Sequence, residues 1–232
     1  MKDQGSIKAK LLRIYNDLMY EQGYEQTTVR QIADKCGIGR GHLYFYFAKK
    51  EQFPIALRAD LLKKIDIITR EFYPDLDNRD LLRFLLSVKL VRYMFSEKSE
   101  LYRAQAEYAS HTEVLDGFAD LLYPGLAKGM AGLGLTIARE LMEESLLAAT
   151  YCEYALIKYR YHHFAEHIDH GFLFNQFCNA LFAQFSFLEE TLNETRREAT
   201  QLFNACAGEM LRRVYELDAF NYANSDTPPP VS

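Results

Sequence analysis

The sequence predicts an all-α protein, and three observations lead to that prediction. Apolar residues recur at three- and four-residue spacing along most of the chain, no run of alternating β-branched residues is present, and glycine or proline separates the helical patterns. The chain has 232 residues, of which 49% are hydrophobic and 25% charged. This composition is typical of globular proteins, and the length suffices for a large core.

The first 50 residues contain three helical patterns. The first has one apolar stripe and is expected to end at Gly23; the stripe is formed by Ile7, Leu11, Ile14 and Leu18. Thr28 begins the second, with Gln31 three residues later in the spacing of a capping box. Residues 37–39 form a glycine-containing turn, and a third helix is predicted from about Arg40 to Phe47.

Longer helices are predicted after this segment. A fourth begins near Lys49 and Lys50 and ends at about Tyr73, because Pro74 follows. Helices are predicted at about 78–95 and 99–122, and a break at 123–125 follows them. An irregular stretch at Gly129, Gly132 and Gly134 precedes a helix at about 136–169. After Gly171, which separates the two, a last helix is predicted from Phe172 to about Leu217, interrupted near Asn193.

Charge is distributed unevenly along the chain. Residues 1–60 contain 10 Lys and Arg against 7 Asp and Glu, whereas the remainder contains 17 against 25. A basic amino-terminal segment on an acidic protein indicates that this segment meets a polyanion. The four cysteines lie far apart without C-x-x-C spacing, which predicts reduced thiols rather than disulfides or a zinc site.

Two helices joined by a short glycine-containing turn have the arrangement of a helix-turn-helix, whose second helix enters the DNA major groove. Leu43 and Phe47 share one side of the third helix, with Tyr46 close by, and this side is expected to pack on the first two helices. The residues predicted to point outward or to begin the helix are Arg40, Gly41, His42, Tyr44 and Phe45.

These outward residue types suit DNA. Arg40 can contact a guanine edge or a phosphate, Phe45 can meet thymine methyl groups, and Gly41 permits close approach. The predicted DNA-binding residues are Thr28, Arg30, Gly39, Arg40, Gly41, His42, Tyr44, Phe45, Tyr46, Lys49 and Lys50. The alternative is a helical hairpin that only packs, but this explains neither Gly41 nor the outward aromatic residues.

The stretch TTVRQIADKCGIGRGHLYFYFAKKEQF, residues 27–53, closely resembles the DNA-binding segment of the tetracycline-repressor (TetR) family of bacterial regulators. The residues that carry the resemblance are Thr27, Thr28, Val29, Arg30, Ile32, Ala33, Gly37, Ile38, Arg40, Gly41, Leu43, Tyr44, Tyr46, Phe47, Lys50 and Glu51. Gly39, His42 and Phe45 replace the family's usual Ser, Thr and His. Because two of these replacements fall on the outward face, the operator sequence is not expected to be that of relatives.

The resemblance implies a DNA-binding domain over residues 1–48 and a helical effector-binding and dimerisation domain over 49–220, and a disordered tail is expected over 221–232. Residues 172–188 are apolar around most of a helix, which favours a helix shared with a second copy of the chain. The candidate dimer contacts are Phe174, Phe177, Leu181, Phe185 and Leu188. An ordinary interior helix is the alternative.

The candidate effector contacts are aromatic residues in the middle of the chain: Tyr93, Tyr102, Tyr108, Phe118, Tyr151 and Tyr154. Their polar counterparts, if buried, are Arg92, Arg103, Glu107 and Glu153. His163, His167 and His170 share one face of a predicted helix and could hold a metal. We favour instead an interaction of these histidines with the helix carboxyl end, and we expect neither metal nor cofactor.

The leading hypothesis is a homodimeric, cytoplasmic regulator, most simply a repressor released from a palindromic double-stranded DNA operator by an unknown small-molecule effector. A DNA-binding activator or adaptor without an effector is the alternative. An enzyme is not expected, because no catalytic constellation or phosphate-binding glycine loop stands out. Neither a membrane span nor a signal peptide is evident in the sequence.

Overall fold

The computed structural model describes residues 2–76, 79–164 and 169–217, with side chains from residue 7 onward. Within them every regular element is helical, which confirms the predicted all-α class. The α-helices are α1 (Lys2–Gln22), α2 (Val29–Cys36), α3 (Arg40–Tyr46), α4 (Gln52–Phe72), α5 (Asp80–Ser96), α6 (Ser99–Tyr108), α7 (Thr112–Gly132), α8 (Arg139–Phe164), α9 (His170–Phe182) and α10 (Glu189–Glu216). Short 3₁₀ turns occupy Pro74–Leu76 and Ser186–Leu188. The tail predicted over 221–232 lies outside the described residues.

The predicted caps set the geometry of the first three helices, which we call the head. The Thr28 side chain accepts a hydrogen bond from the Gln31 backbone N–H, and the Gln31 side chain accepts one from the Thr28 N–H, so the capping box is confirmed. Gly37 ends α2 with φ of +76°, a left-handed conformation that favours glycine. The Ile38 N–H donates to the Ala33 carbonyl, which turns the chain sharply into α3.

Two hydrophobic cores hold the helices together. One joins α4, α5, α7, α8, α9 and α10, with α5 packed among several of them. The other belongs to the head but includes side chains from α6, α7 and α8, among them Tyr108, Phe118 and Tyr154. The head therefore shares its core with the body, α4–α10, across the domain boundary predicted at residue 48.

Helix α7 corrects the predicted break at 123–125. It runs without interruption through Pro124 and Gly129, and the irregular stretch begins only after Gly132. A Cβ at Gly125 would lie 2.7 Å from the Phe84 ring, and one at Gly129 would lie 2.9 Å from the Leu81 backbone. These glycines let α5 approach α7 closely, so they serve packing within a helix rather than ending it.

Other predicted boundaries also differ. The helix predicted at 99–122 is divided after Tyr108, and the one at 136–169 is seen from Arg139 to Phe164. Gly171 lies inside α9, which Asp169 caps by accepting a hydrogen bond from the Phe172 N–H. The last apolar run is interrupted over residues 183–188 instead of near Asn193. The Phe185 side chain in this turn is fully buried in the core.

No helix within 2–76, 79–164 or 169–217 is both long enough and apolar enough to span a bilayer.

Gly23→Ala is expected to destabilise the protein by about 1–2 kcal/mol or more, because a side chain is strained at this backbone conformation. Gly23 has φ of +90°, and an added Cβ would lie 2.7 Å from a Glu107 carboxylate oxygen. The measurement is the free energy of unfolding in urea. Gly41→Ala is the matched control, since it lies in helix α3 with open space around it. Equal stability of the two variants would contradict the prediction.

Candidate nucleic-acid interface

Helix α3 is anchored by two residues on its inner side. Leu43 is fully buried, and Phe47 directly after the helix is almost fully buried. The Phe47 ring stacks on Phe53 of α4 at 4.1 Å between centroids, and Phe53 packs on Tyr15 of α1 at 5.1 Å. The inner face predicted from the sequence is confirmed, and α3 is fixed to the start of α4 as well as to α1.

The opposite side of α3 is open to solvent. Phe45 is 71% exposed and Tyr44 is 49% exposed. Arg40, Gly41 and His42 are exposed as well, so the predicted outward placement of all five residues is confirmed. A large apolar side chain with this exposure, beside a guanidinium and an imidazole, forms a surface suited to a ligand with both apolar and polar groups.

The aromatic side chains on this surface pack against one another. The Tyr46 ring, partly buried, lies 5.4 Å from the Phe45 ring and 5.5 Å from the His42 ring. These contacts orient the exposed rings. Gly39 and Gly41 have open space where a Cβ would be, with no described atom within 4 Å outside their own helix and chain neighbours. Packing within the chain therefore does not account for either glycine.

Thr28 and Arg30 lie at the start of α2 and are exposed. The Thr28 hydroxyl is occupied by its capping interaction with Gln31. The Arg30 guanidinium lies 3.6 Å from the Asp34 carboxylate one turn later, with both side chains exposed. Such an exposed ion pair is weak, so Arg30 can leave Asp34 and bind another anion.

Lys49 and Lys50 make contacts that the sequence did not predict. Lys49 forms an ion pair with Glu113 at the start of α7, and both side chains are about half exposed. The Lys50 ammonium lies 3.9 Å from the centre of the Tyr24 ring, and burial lowers its pKa. Both lysines thus join the start of α4 to its surroundings in the free chain.

A second set of polar contacts joins the head to α6. The Glu107 carboxylate accepts hydrogen bonds from the Tyr24 and Glu25 N–H groups, and Arg103 donates to the Tyr20 carbonyl at 2.9 Å. Tyr108 and Tyr15 hydroxyls lie 3.1 Å apart. Arg103 and Glu107, considered above as polar effector contacts, therefore hold the carboxyl end of α1.

The body contains a small cavity lined by Tyr102 and Tyr154, two of the predicted effector contacts. Its other lining residues are Arg58, Val91, Arg92, Phe95, Ser96, Gln105, Glu153, Ile157 and Leu173. The cavity volume is about 20 Å³, which is room for a single water molecule. Arg58 and Gln105 were missed because nothing in the pattern of α4 or α6 distinguishes a residue facing a cavity from one facing the core.

Arg92 and Glu153 form a buried ion pair beside this cavity, with 2.6 Å between nitrogen and oxygen. Burial raises the pKa of the Glu153 carboxyl, and the charges of Arg92 and Arg58 oppose that rise. Tyr108 and Phe118 line a neighbouring cavity. Tyr93 packs on His170 and Phe203, and the Tyr151 hydroxyl donates to Asp116, so these two are engaged elsewhere.

The predicted dimer contacts are corrected by their burial. Phe174, Phe177, Leu181 and Phe185 are fully buried within the single chain, and Leu188 is partly buried. An interior helix, the alternative considered from the sequence, accounts for them, because side chains on α5 and α10 cover that face. Apolar residues that do remain exposed nearby are Phe172 and Phe187.

The histidine cluster is divided between two helices. His163 lies in the last turn of α8, where its ring is 4.5 Å from Tyr159. His170 begins α9 rather than ending α8, and burial lowers its pKa. His167 lies outside the described residues. Within the ranges described, no three His, Cys, Asp or Glu side chains are grouped so that they could bind a metal ion.

Comparison with known proteins agrees with this arrangement. Residues 16–57 match the family model of bacterial regulatory proteins of the tetR family. An uncharacterised HTH-type transcriptional regulator of Lactococcus lactis subsp. lactis is 34% identical over 50 residues, which is 22% of this chain. The match spans only 26% of that relative's length.

Among solved structures, RolR in complex with resorcinol is similar over 85% of this chain and 95% of its own, with a TM-score of 0.51 and 20% identity. A tetR-family transcriptional regulator from Streptomyces coelicolor covers 93% of this chain and 99% of its own, with a TM-score of 0.44 and 15% identity. The similarity to RolR shows a common helical fold over most of the chain. The match to the tetR family model covers residues 16–57, from the second half of α1 through α2 and α3 into α4.

Proposed function

We propose that this protein is a DNA-binding transcriptional regulator whose helix α3 reads the major groove. The observation that carries the proposal is the open outer face of α3, from Arg40 to Phe45, on a helix anchored by Leu43 and Phe47. Arg40 suits the O6 and N7 acceptors of guanine, and Phe45 suits thymine methyl groups. Tyr44 and Tyr46 can donate to phosphates.

The regulator is proposed to be a repressor that a small effector releases from its operator. RolR, which has a similar fold, was solved with resorcinol bound, which supports a small-molecule ligand for this chain. In a dimer, the effector would bind more tightly to a conformation in which the two heads are wrongly spaced for the operator. A ligand shifts the equilibrium between two conformations by the difference in its affinity for them. An activator would bind DNA in the same way but raise transcription from the promoter instead of lowering it.

A homodimer would present two copies of α3 to successive major grooves, about 34–36 Å apart along a palindromic site. The proposed contact surface is the exposed side of α9 and α10 with the turn between them, where Phe172 and Phe187 remain uncovered. The Phe187 side chain is 66% exposed, and a second copy of the chain packed on this surface would bury it. A mass in solution of twice 26.9 kDa supports this arrangement, and a monomer on DNA and off it contradicts it.

The first test of the proposal is the loss of sequence-specific binding by Arg40→Ala. Operator sequences are selected from a random double-stranded library with the full chain, and affinity is measured by fluorescence anisotropy. Arg40→Ala should weaken binding to the selected site by about 1–3 kcal/mol, the value of a bidentate guanine contact, with little change on unrelated DNA. Arg139→Ala, an exposed arginine on α8, is the control. An unchanged ratio of specific to non-specific binding contradicts the proposed role.

Gly41→Ala separates stability from DNA binding. A Cβ at Gly41 meets open space in the free chain. The free energy of unfolding of the variant should therefore equal that of the wild type or exceed it by about 0.5–1 kcal/mol. If α3 approaches the duplex closely at Gly41, affinity for the selected site should nevertheless fall. Anisotropy and urea unfolding on the same preparation give both values. Unchanged affinity would show that Gly41 does not face the DNA.

A further inference from the structure

Two small cavities, one within the body and one between the body and α1, share a common wall. The first is the cavity described above, and the second is lined by Met19, Pro54, Leu57, Arg58, Phe95, Leu101, Gln105, Tyr108 and Phe118. Each has a volume of about 20 Å³. Arg58, Phe95 and Gln105 line both cavities, so these three side chains form the partition between them.

Arg58 is held in this partition by neutral groups. Its guanidinium donates to the Gln105 side-chain oxygen at 2.7 Å and to the Tyr154 hydroxyl at 3.0 Å. It also lies against two aromatic rings, 4.5 Å from the centre of Phe95 and 4.3 Å from that of Phe118. Within residues 7–76, 79–164 and 169–217, ion pairs within 4.0 Å are found for Arg92 and Arg103 but not for Arg58.

The charges around the first cavity therefore do not balance. Arg58 and Arg92 are both positive, and Glu153 is the carboxylate that faces them, bonded to Arg92. If Glu153 is ionised, one positive charge remains, and if it is protonated, two remain. The Arg92 Nε is buried, with no hydrogen-bond acceptor among the described residues. A guanidinium away from water without a counter-charge is costly, and an anion that binds beside it offsets that cost.

We propose that the two cavities are the halves of one binding site for a small planar aromatic carboxylate, and that Arg58 binds its carboxylate. This inference rests on the regulator proposed above, since it names the chemical class of the effector. The carboxylate replaces the Gln105 oxygen as the acceptor from Arg58, and a charged acceptor is the stronger partner. An aromatic ring needs more room than the two cavities of about 20 Å³ each supply, so its binding also requires aromatic wall residues such as Tyr102, Phe118 and Tyr154 to move outward.

The second cavity also supplies the link to the head. It is lined by Met19 of α1 and by Pro54 and Leu57 of α4, the helix whose Phe53 stacks on Phe47 directly after α3. A ligand that moves Arg58 away from Gln105 therefore acts on α4, the helix that carries Arg58 and that begins directly after the head. The expected result is reciprocal coupling, in which the aromatic acid weakens DNA binding and DNA weakens binding of the acid by the same factor.

The test uses the full chain and isothermal titration with benzoate and salicylate, with benzamide and phenol as neutral probes of similar shape. Both acids are expected to bind, and benzamide and phenol to bind about 10- to 100-fold more weakly, the range for a charge-assisted hydrogen bond. Arg58→Gln should lower the affinity for the acids by a similar factor without changing that for the neutral probes, and Arg58→Lys should retain part of it. Arg139→Gln, on the surface of α8, is the matched control and should bind as the wild type does.

Thermal unfolding without ligand checks that each variant is folded, and Arg58→Lys provides a second variant if Arg58→Gln does not fold. Equal affinity for benzoate and benzamide, or unchanged acid binding by Arg58→Gln, overturns the proposal. Absence of binding of both acids at millimolar concentration also overturns it. A chain that selects a DNA sequence but binds neither acid disproves only this inference. If the chain binds the acids through Arg58 but selects no DNA sequence, the proposed regulator function is disproved and the proposed acid-binding site is supported.

Discussion

The packing of Phe47 and Phe53 at the junction of α3 and α4 is the contact on which the rest of the structure depends. Phe47 ends the third helix, Phe53 lies in the first turn of the fourth, and their rings stack at 4.1 Å. With Leu43 they bury the inner face of α3 against α1. Because a seven-residue helix is not stable alone, this burial fixes its orientation and leaves Arg40 and Phe45 at the surface.

The same junction connects the body to the head. Tyr15 of α1, Tyr108 of α6 and Phe118 of α7 are in one core with Phe53, so a displacement of α4 or α6 reaches α3 through packed side chains. The junction also has polar ties, from Glu107 to the turn after α1 and from Lys49 to Glu113. These packed and polar contacts form a continuous path between body and head, which the proposed effector response requires.

The sequence predicted the head more accurately than the body because the head is built from local signals. The capping box at Thr28, the left-handed glycine at Gly37 and the face arithmetic of Leu43 depend on nearby residues alone. In the body, Gly125 and Gly129 were interpreted as breaks because their packing partners on α5, Phe84 and Leu81, are 41 and 48 residues away in sequence. Phe174 and Phe177 were assigned to an interface because the sequence does not show which apolar face the chain itself covers.

The site shows the same limit. The exposed residues of α3 that we propose face DNA follow one helix and could be predicted from spacing. The cavity residues come from α4, α5, α6, α8 and α9 and meet only in the folded chain. Arg58 has no distinguishing sequence signal, and the role proposed for it follows from its neutral partners Gln105 and Tyr154 in the folded chain. Residues that work through long-range contacts are thus the ones that sequence patterns miss.

The most direct measurement of the central claim is site-specific photocrosslinking to the selected operator. A photoreactive phenylalanine analogue replaces Phe45 in one preparation and Phe187 in another; the two positions are similarly exposed in the free chain, at 71% and 66%. The structure predicts crosslinks from position 45 to bases of the operator and none from position 187. Binding of the operator without crosslinks from position 45, or equal crosslinking from both positions, would contradict the assignment of α3 as the DNA-reading helix.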